Sequence, residues 1–507
     1  MLPYMNVKGE NSKKYVVSFQ GINYGEGYTD GEFSESKNIS VAQHPCVSQR
    51  FGRSVQGVYA KPTSLYVKEG LLVIDGTEAK YDGAVVGTVT EGRKQMATVG
   101  NYVLIFPDKA FYNVVTKEFG DMENKVISAA NTLTFTDSEI TTTGDDWTFH
   151  VGDAVSIEGC TTHPENNQSI IVRGVAGKTL TFYSNSFTAG TEAAEVTIRR
   201  DIPDLDFICE SNYRLWGTKD NVIYGSKYLD PFNFQVMDGL AGDSYNIDVA
   251  SDGPFTGCIP YSSHICFFKE NTLHKLYGSK PSNFQLVTSQ VYGVQKGSEK
   301  SMCIINDTLF YKGVLGVYAY TGGVPELVSS KFGLRKFSDA CATTDGNRYY
   351  ISMQEDGAWS VFVYDISRNL WVREDDMHCV DMAQHEGRVY LLTDSGYLLR
   401  VDEDGDQSNI EWSVTLCPFN ETMNERKGYS KFHLRMDLDR GAWLTIEQKR
   451  NTDRQWQKIY STHSERARTI SVPVIPARCD SVEIRISGKG KCLLRAFVRE
   501  FFTGSDV

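Results

Sequence analysis

A strand, turn, strand unit recurs along this chain, and it is clearest where two copies stand in tandem between Asn212 and Gly278. The first copy reads NYRLWGTKDNVIYGS (Asn212 to Ser226) and the second SHICFFKENTLHKLYGS (Ser263 to Ser279). Each has a polar turn, a short apolar strand, a turn of charged residue and Asn, and a second strand closing on aromatic-Gly-Ser. A lone strand pair cannot bury its apolar face, so such units must stack on one another, which points to radial repetition of small sheets.

The same unit reappears at Leu65 to Ile74, Asn101 to Val114, Asn306 to Tyr320, Gly346 to Asp365 and Gly387 to Val401. That makes about seven, and the last four advance by roughly 40 to 44 residues, the period of a four-stranded blade. Tyrosine (27), phenylalanine (26) and glycine (44) are abundant and long Ala/Leu/Glu/Lys runs are missing, so almost no helix is expected. The expected fold is all-β: a six- or seven-bladed β-propeller with an inserted small β-barrel and a C-terminal antiparallel β-sandwich.

Spacing sets the expected boundaries. Residues 1–53 read as a loop-rich arm with one clear strand at Tyr15 to Phe19, and 54–123 as the first blades. Residues 124–200 break the period with five or so short strands of their own, the pattern of a small barrel inserted on a loop. Blades resume over 201–402. After the acidic hinge DEDGDQSN, residues 403–507 hold longer alternating strands that read as a sandwich.

With 52 Lys and Arg against 64 Asp and Glu, the net charge of −12 argues against wrapping nucleic acid by phosphate neutralisation. The charge is uneven: from Glu421 onward there are 17 basic and 11 acidic side chains, a basic end on an acidic chain. The 11 cysteines lie singly with no CxxC, and Cys209, Cys258, Cys266, Cys303 and Cys341 fall in apolar strand-like runs, as buried thiols in a reducing compartment do. No apolar signal core opens the chain and no stretch approaches a membrane span, so a protein made in the cytoplasm is expected.

Motifs that could carry chemistry are sparse. Asp402, Asp404 and Asp406 alternate as calcium ligands can, but Gln407 and Ser413 stand where a calcium loop needs Gly and a bidentate Glu, which favours a solvated hinge. SMQEDGAW (Ser352 to Trp359) approximates a sialidase Asp-box with the wrong spacing and reads as a hairpin turn. SGKGK (Ser487 to Lys491) could hold a phosphate but reads as a hairpin turn between strands. In YLDPFNFQ (Tyr228 to Gln235) the aromatics could stack on a sugar, though packing between blades is favoured. The nine histidines, His44, His150, His264, His274, His378 and His385 among them, show no metal-binding spacing. No catalytic, cofactor or metal residue is assigned, and no enzyme is expected.

Three stretches together resemble a known family. The tandem repeat with its Asp-Pro motif and LFYKGVLGVYAYTGG, the opening GINYGEGYTDGEFSESKNISVAQHPCVSQRFGR (Gly21 to Arg53), and the ending RCDSVEIRISGKGKCLLRAFVREFFTGSDV (Arg478 to Val507) are similar to the β-propeller tail proteins of tailed bacteriophages, the podovirus tail nozzle and packaged-DNA stabilisation type. The likeness covers most of the chain except the insertion. It implies a virion structural protein: a homohexameric ring at the end of a short tail, bound to an adaptor or portal-proximal ring, with tail fibres as a candidate further partner and DNA passing through unread. An acidic bore would let a duplex slide where a basic one would grip it. A receptor- or glycan-binding tail-tip protein is the alternative, and a glycan hydrolase on a propeller the third reading.

Overall fold

The computed structural model describes residues 11–402, 405–421, 426–463, 469–474 and 477–503, and apart from short 3-10 turns their regular structure is β-strand throughout. The chain divides into two compact units, Ala60–Glu299 and Met1–Tyr59 joined with Lys300–Val507.

The unit Ala60–Glu299 contains four antiparallel meanders of four strands each, spanning 62–88, 95–121, 207–248 and 255–290. Their first strands, Pro62–Lys68, Gln95–Val99, Phe207–Ser211 and Phe255–Tyr261, run side by side in that order. This is the arrangement of successive propeller blades. The recurring units at Asn101, Asn212 and Ser263 are the central hairpins of their meanders, while Leu65 to Ile74 is the opening hairpin of the first.

The tandem repeat shows why the motif has its form. In its first copy Asn212 and Tyr213 both take positive φ, 52° and 56°, the two-residue turn whose twist matches flanking strands. Trp216 is buried and meets Phe267 of the next meander at 6.4 Å and Phe284 at 5.2 Å, so each meander is completed by its neighbour. The glycine of aromatic-Gly-Ser is steric: a Cβ on Gly225 would lie 2.7 Å from the Trp216 ring. The serine is polar support, with Ser226 Oγ accepting the Leu215 N–H at 2.9 Å.

Between the second and third meanders, Asn124–Ser128 pairs with Val196–Arg200, so the segment leaves and returns through adjacent strands. It forms a four-stranded and a five-stranded sheet around its own core of Leu133, Phe135, Ile140, Trp147, Val155, Leu180 and others. It holds nine strands where five or so were expected, because several are only two or three residues long and give no readable alternation. Two buried charges fasten it. Arg200 bonds Asp153 at 2.8 Å and donates to the Met122 carbonyl at 2.7 and 3.1 Å. Burial pushes the Glu192 carboxyl upward, but backbone N–H groups of Thr162, Thr161 and Ala194 outweigh it and hold the group far below the usual range.

The other unit contains three further meanders. Two span 303–327 and 338–375; the last combines Cys379–His385, Arg388–Thr393 and Tyr397–Asp402 with Gly52–Val58 as its fourth strand. The segment that begins the expected first blades at 54 therefore belongs to the last meander. Arg53 ties this strand to the preceding meander, its buried guanidinium bonding Glu374 at 2.7 Å and Asp375 at 2.5 Å on Leu370–Asp375.

Two larger sheets complete this unit. One has the order Phe33–Lys37, Glu411–Phe419, Val482–Lys489, Trp443–Arg450, Gln457–His463. The other is built on Lys427–Leu438 and Cys492–Thr503, with Asn11–Val16 and Val47–Gln49 both pairing to the latter. Their inner faces meet, Phe419 of one stacking on Phe497 of the other at 5.6 Å.

Residues 11–53 thus pack into the large sheets rather than standing off as an arm, and residues 1–10 lie outside the described residues. The strand expected at Tyr15 to Phe19 lies instead at Asn11–Val16, because Lys13 and Lys14 are drawn to Glu500 and Glu421 at 2.6 and 2.8 Å. Phe19, Ile22 and Phe33 are fully buried in the core. At about 1.5 to 3 kcal/mol per buried side chain, that anchors the segment strongly. Its missing apolar period is what disguised it.

Candidate functional site

Most of the motifs singled out in the sequence are structural. Asp402 accepts from Ser54 and, at 2.8 Å, from Arg400, so it secures the closing strand. Asp406 accepts the Ser408 N–H at 2.8 Å, and Asp404 lies outside the described residues. Among the described residues no three His, Cys, Asp or Glu side chains gather as a metal site would need. In SMQEDGAW, Asp356 and Gly357 form a two-residue turn with φ of 49° and 84°. Nine of the 11 cysteines are buried, and Cys46 and Cys303 are half-buried.

In YLDPFNFQ, Phe232 packs edge-on against Tyr102 at 5.1 Å and Phe111 at 5.3 Å in a neighbouring meander, and Phe234 is buried. Tyr228 and Leu229 remain exposed. His274 is buried between Ser251 and Thr288 at 2.8 and 2.9 Å, His264 lies between Tyr261 and Tyr277, and His378 stacks on Trp359 at 3.8 Å.

SGKGK differs from expectation. It is not a hairpin turn within one sheet but the corner at which the chain passes from one large sheet to the other, since Val482–Lys489 and Cys492–Thr503 have different partners. Gly490 takes φ of 91° at the bend, and a Cβ on Gly488 would strike the Trp443 carbonyl at 2.4 Å.

That corner opens a cleft of about 700 Å³ where three turns meet, at 405–409, 439–442 and 489–491. Its floor is held by the Trp412 indole N–H on the Gly490 carbonyl at 2.9 Å and the Asp439 N–H on the Lys491 carbonyl at 3.2 Å. The acidic hinge and the Lys-Gly-Lys turn, far apart in sequence, share this cleft. Arg440, Lys489 and Lys491 line it with no ion pair among the described residues, beside the half-exposed Trp443. Asp406 and Asp439 line it too, so the cleft carries a small excess of positive charge, which favours an anionic partner.

The charge partition matches. Residues 60–299 carry 19 Lys and Arg against 30 Asp and Glu, a net of −11, which leaves −1 for the other unit. That unit comes so near neutrality only because of its basic C-terminal sheets.

A second cleft, of about 480 Å³, lies in the same unit. Its walls come from three sources: Tyr24 and Glu35 from the N-terminal segment, Arg335, Glu355 and Arg373 around the 338–375 meander, and Lys449, Trp456, Glu483 and Arg485 from the large sheet. The Arg335 guanidinium lies 3.7 Å from the Tyr24 ring centre and that of Arg485 lies 4.0 Å from Trp456. Burial raises the Tyr24 hydroxyl above the ordinary tyrosine value, outweighing the Arg335 and Arg373 charges that pull it down. None of these residues had a local signal, because the cleft exists only once three distant segments converge.

No protein-family model matches the chain, and no curated protein does. Solved structures resemble it weakly. BamB from Moraxella catarrhalis aligns over 70% of this chain and 97% of its own at 8% identity and TM-score 0.30. Hsv2 from Kluyvelomyces marxianus aligns over 64% and 83% at 13% identity and TM-score 0.26. An exo-beta-1,3-galactanase from Phanerochaete chrysosporium, solved with galactose, aligns over 56% and 92% at 10% identity and TM-score 0.23. Likenesses this slight carry no argument about function.

Proposed function

We propose that this protein is a structural subunit of a bacteriophage tail, forming a homohexameric nozzle or head-completion ring that retains genomic DNA and through which the DNA then exits. The four-stranded meanders, four in one unit and three in the other, are read as blades of the expected six- or seven-bladed propeller type. Strand Gly52–Val58 precedes the first meander in sequence yet completes the last, which is how circular blade arrays are closed. The 124–200 insert is read as a small barrel and the two large sheets as a sandwich serving as a docking platform.

The observation that supports the proposal is the division of charge: the 60–299 unit carries a net of −11, while the other unit is near neutral and has a corner cleft in which Arg440, Lys489 and Lys491 outnumber Asp406 and Asp439. In a ring, such opposed surfaces join copies to one another or to the adaptor or portal-proximal ring above. Acidic walls facing a bore let a duplex slide, since no phosphate is neutralised and no counterion released. The protein would act in the virion tail, with fibres as a further partner and no enzymatic step. Among the described residues no helix is long and apolar enough to cross a membrane.

Electron microscopy of the purified protein, with mass photometry in parallel, tests this. Rings with a bore wide enough for duplex DNA are expected, and the Arg440→Glu, Lys489→Glu, Lys491→Glu triple variant should dissociate them. A monomer across all salt and protein concentrations would refute the ring.

A further inference from the structure

We infer that the 480 Å³ cleft walled by Tyr24, Arg335, Trp456, Glu483 and Arg485 is a binding site for a neutral oligosaccharide. Its volume falls within the roughly 300 to 1,000 Å³ of small-molecule sites. The lining selects the ligand class. Each guanidinium already has an acidic partner: Arg335 with Glu355 at 3.7 Å, Arg485 with Glu447 at 3.6 Å, and Arg373 with Asp376. Lys449, the remaining cation of the lining, makes no such pair among the described residues but stands opposite Glu483 in the strand register, so little net positive charge is left to draw a polyanion.

Glu35 and Glu483 have no cationic partner among the described residues, and ionised carboxylates only accept hydrogen bonds. Donors must come from the ligand, and vicinal hydroxyls supply them. The edges of paired guanidiniums and the hydroxyls of Ser34, Ser360 and Thr415 add donors for ring and hydroxyl oxygens. The two ring–guanidinium stacks, at 3.7 and 4.0 Å, hold these planar groups in place before a ligand arrives. A cleft with both acceptors and donors, flat walls and nearly balanced charge suits a polyhydroxyl ring. A charged ligand would meet one wall of its own sign.

The site is built wholly within one unit, so the inference does not depend on ring formation. For a subunit at the end of a tail, it would supply contact with surface glycan.

The test titrates the full-length protein with maltohexaose, chitohexaose, a β-1,3-linked galactose hexamer and hexagalacturonate, read by tryptophan fluorescence and calorimetry. At least one neutral hexamer should bind in the micromolar to millimolar range, and hexagalacturonate should bind more weakly. Glu483→Gln should weaken the neutral ligand about tenfold, the loss of one charge-assisted bond. Arg485→Ala should weaken it and blue-shift the Trp456 contribution to the emission. Circular dichroism would first confirm that each variant is folded. Failure of every neutral hexamer to bind at about millimolar concentration, binding unchanged in both variants, or preference for the uronate would each overturn the assignment. Rings that form normally while no saccharide binds would sink this inference and leave the ring intact.

Discussion

The Glu421 carboxylate is fully buried between the Arg499 Nε at 2.5 Å and Lys14 Nζ at 2.8 Å, and Arg499 in turn reaches Asp30 at 2.6 Å. Replacing Glu421 with alanine leaves the Arg499 guanidinium, only 1% exposed, without its main counter-charge. Removing one partner of a buried pair costs about 3 to 5 kcal/mol. At about 2 to 4 °C per kcal/mol, the melting transition of this unit should fall by roughly 6 to 20 °C. Differential scanning fluorimetry would measure it. The Glu421→Met, Arg499→Met double variant should lose less than Glu421→Ala, since no orphaned guanidinium remains. The pH dependence has a definite sign. Burial pushes the Glu421 carboxyl up, but Arg499 and Lys14 outweigh it and hold the group below its ordinary 4.5. The stabilisation is therefore full above about pH 4.5 and lost as pH falls through the lower folded value. Glu421→Gln should abolish that part of the acid transition. A shift in Glu421→Ala under about 3 °C, or an unchanged acid transition in Glu421→Gln, would refute the reasoning.

Burial, reinforced by the nearby Lys269 charge, pushes the His274 ring down to about 4, so the folded state prefers it neutral. Stability in urea should hold above pH 6.5 and decline from there toward pH 4, and His274→Gln should flatten that slope. Gly488→Ala would drive a Cβ against the Trp443 carbonyl and the Trp412 ring, 2.4 and 2.6 Å away, and should destabilise the large sheets by about 1 to 3 kcal/mol, measured by urea unfolding.

What could be read in advance was what repeats. The central hairpins announce themselves because turn residues with positive φ, such as Asn212, Asp356 and Gly357, stand at fixed offsets from apolar strands. The break in period was legible at 124–200, a stretch that begins and ends in the paired strands Asn124–Ser128 and Val196–Arg200. The N-terminal segment was not, because its strands are held by partners almost a chain length away and its buried residues, Phe19, Ile22 and Phe33, follow no alternation. Nor was the role of Gly52–Val58, which nothing local assigns to the last meander rather than the first. The clefts were least legible. Lys489, Lys491 and Asp406 were each visible as motif residues, yet nothing in a linear reading brings them together. Trp456 and Tyr24 gave no signal.

The pairing of Asn11–Val16 with the end of Cys492–Thr503 also sets a timetable for biosynthesis. Asn11 meets Phe502 only after roughly 490 intervening residues, which at about 5 to 20 residues per second takes on the order of 25 to 100 s of translation. Through that interval Phe19, Ile22 and Phe33 leave the ribosome early without the sheets that will cover them. The meanders of 60–299 can collapse as they emerge, while the segment ahead of them waits for strands not yet made. Ribosome-bound chains stalled before residue 490 should therefore bind holdase chaperones through their first 40 residues, and release them once the last strand is out.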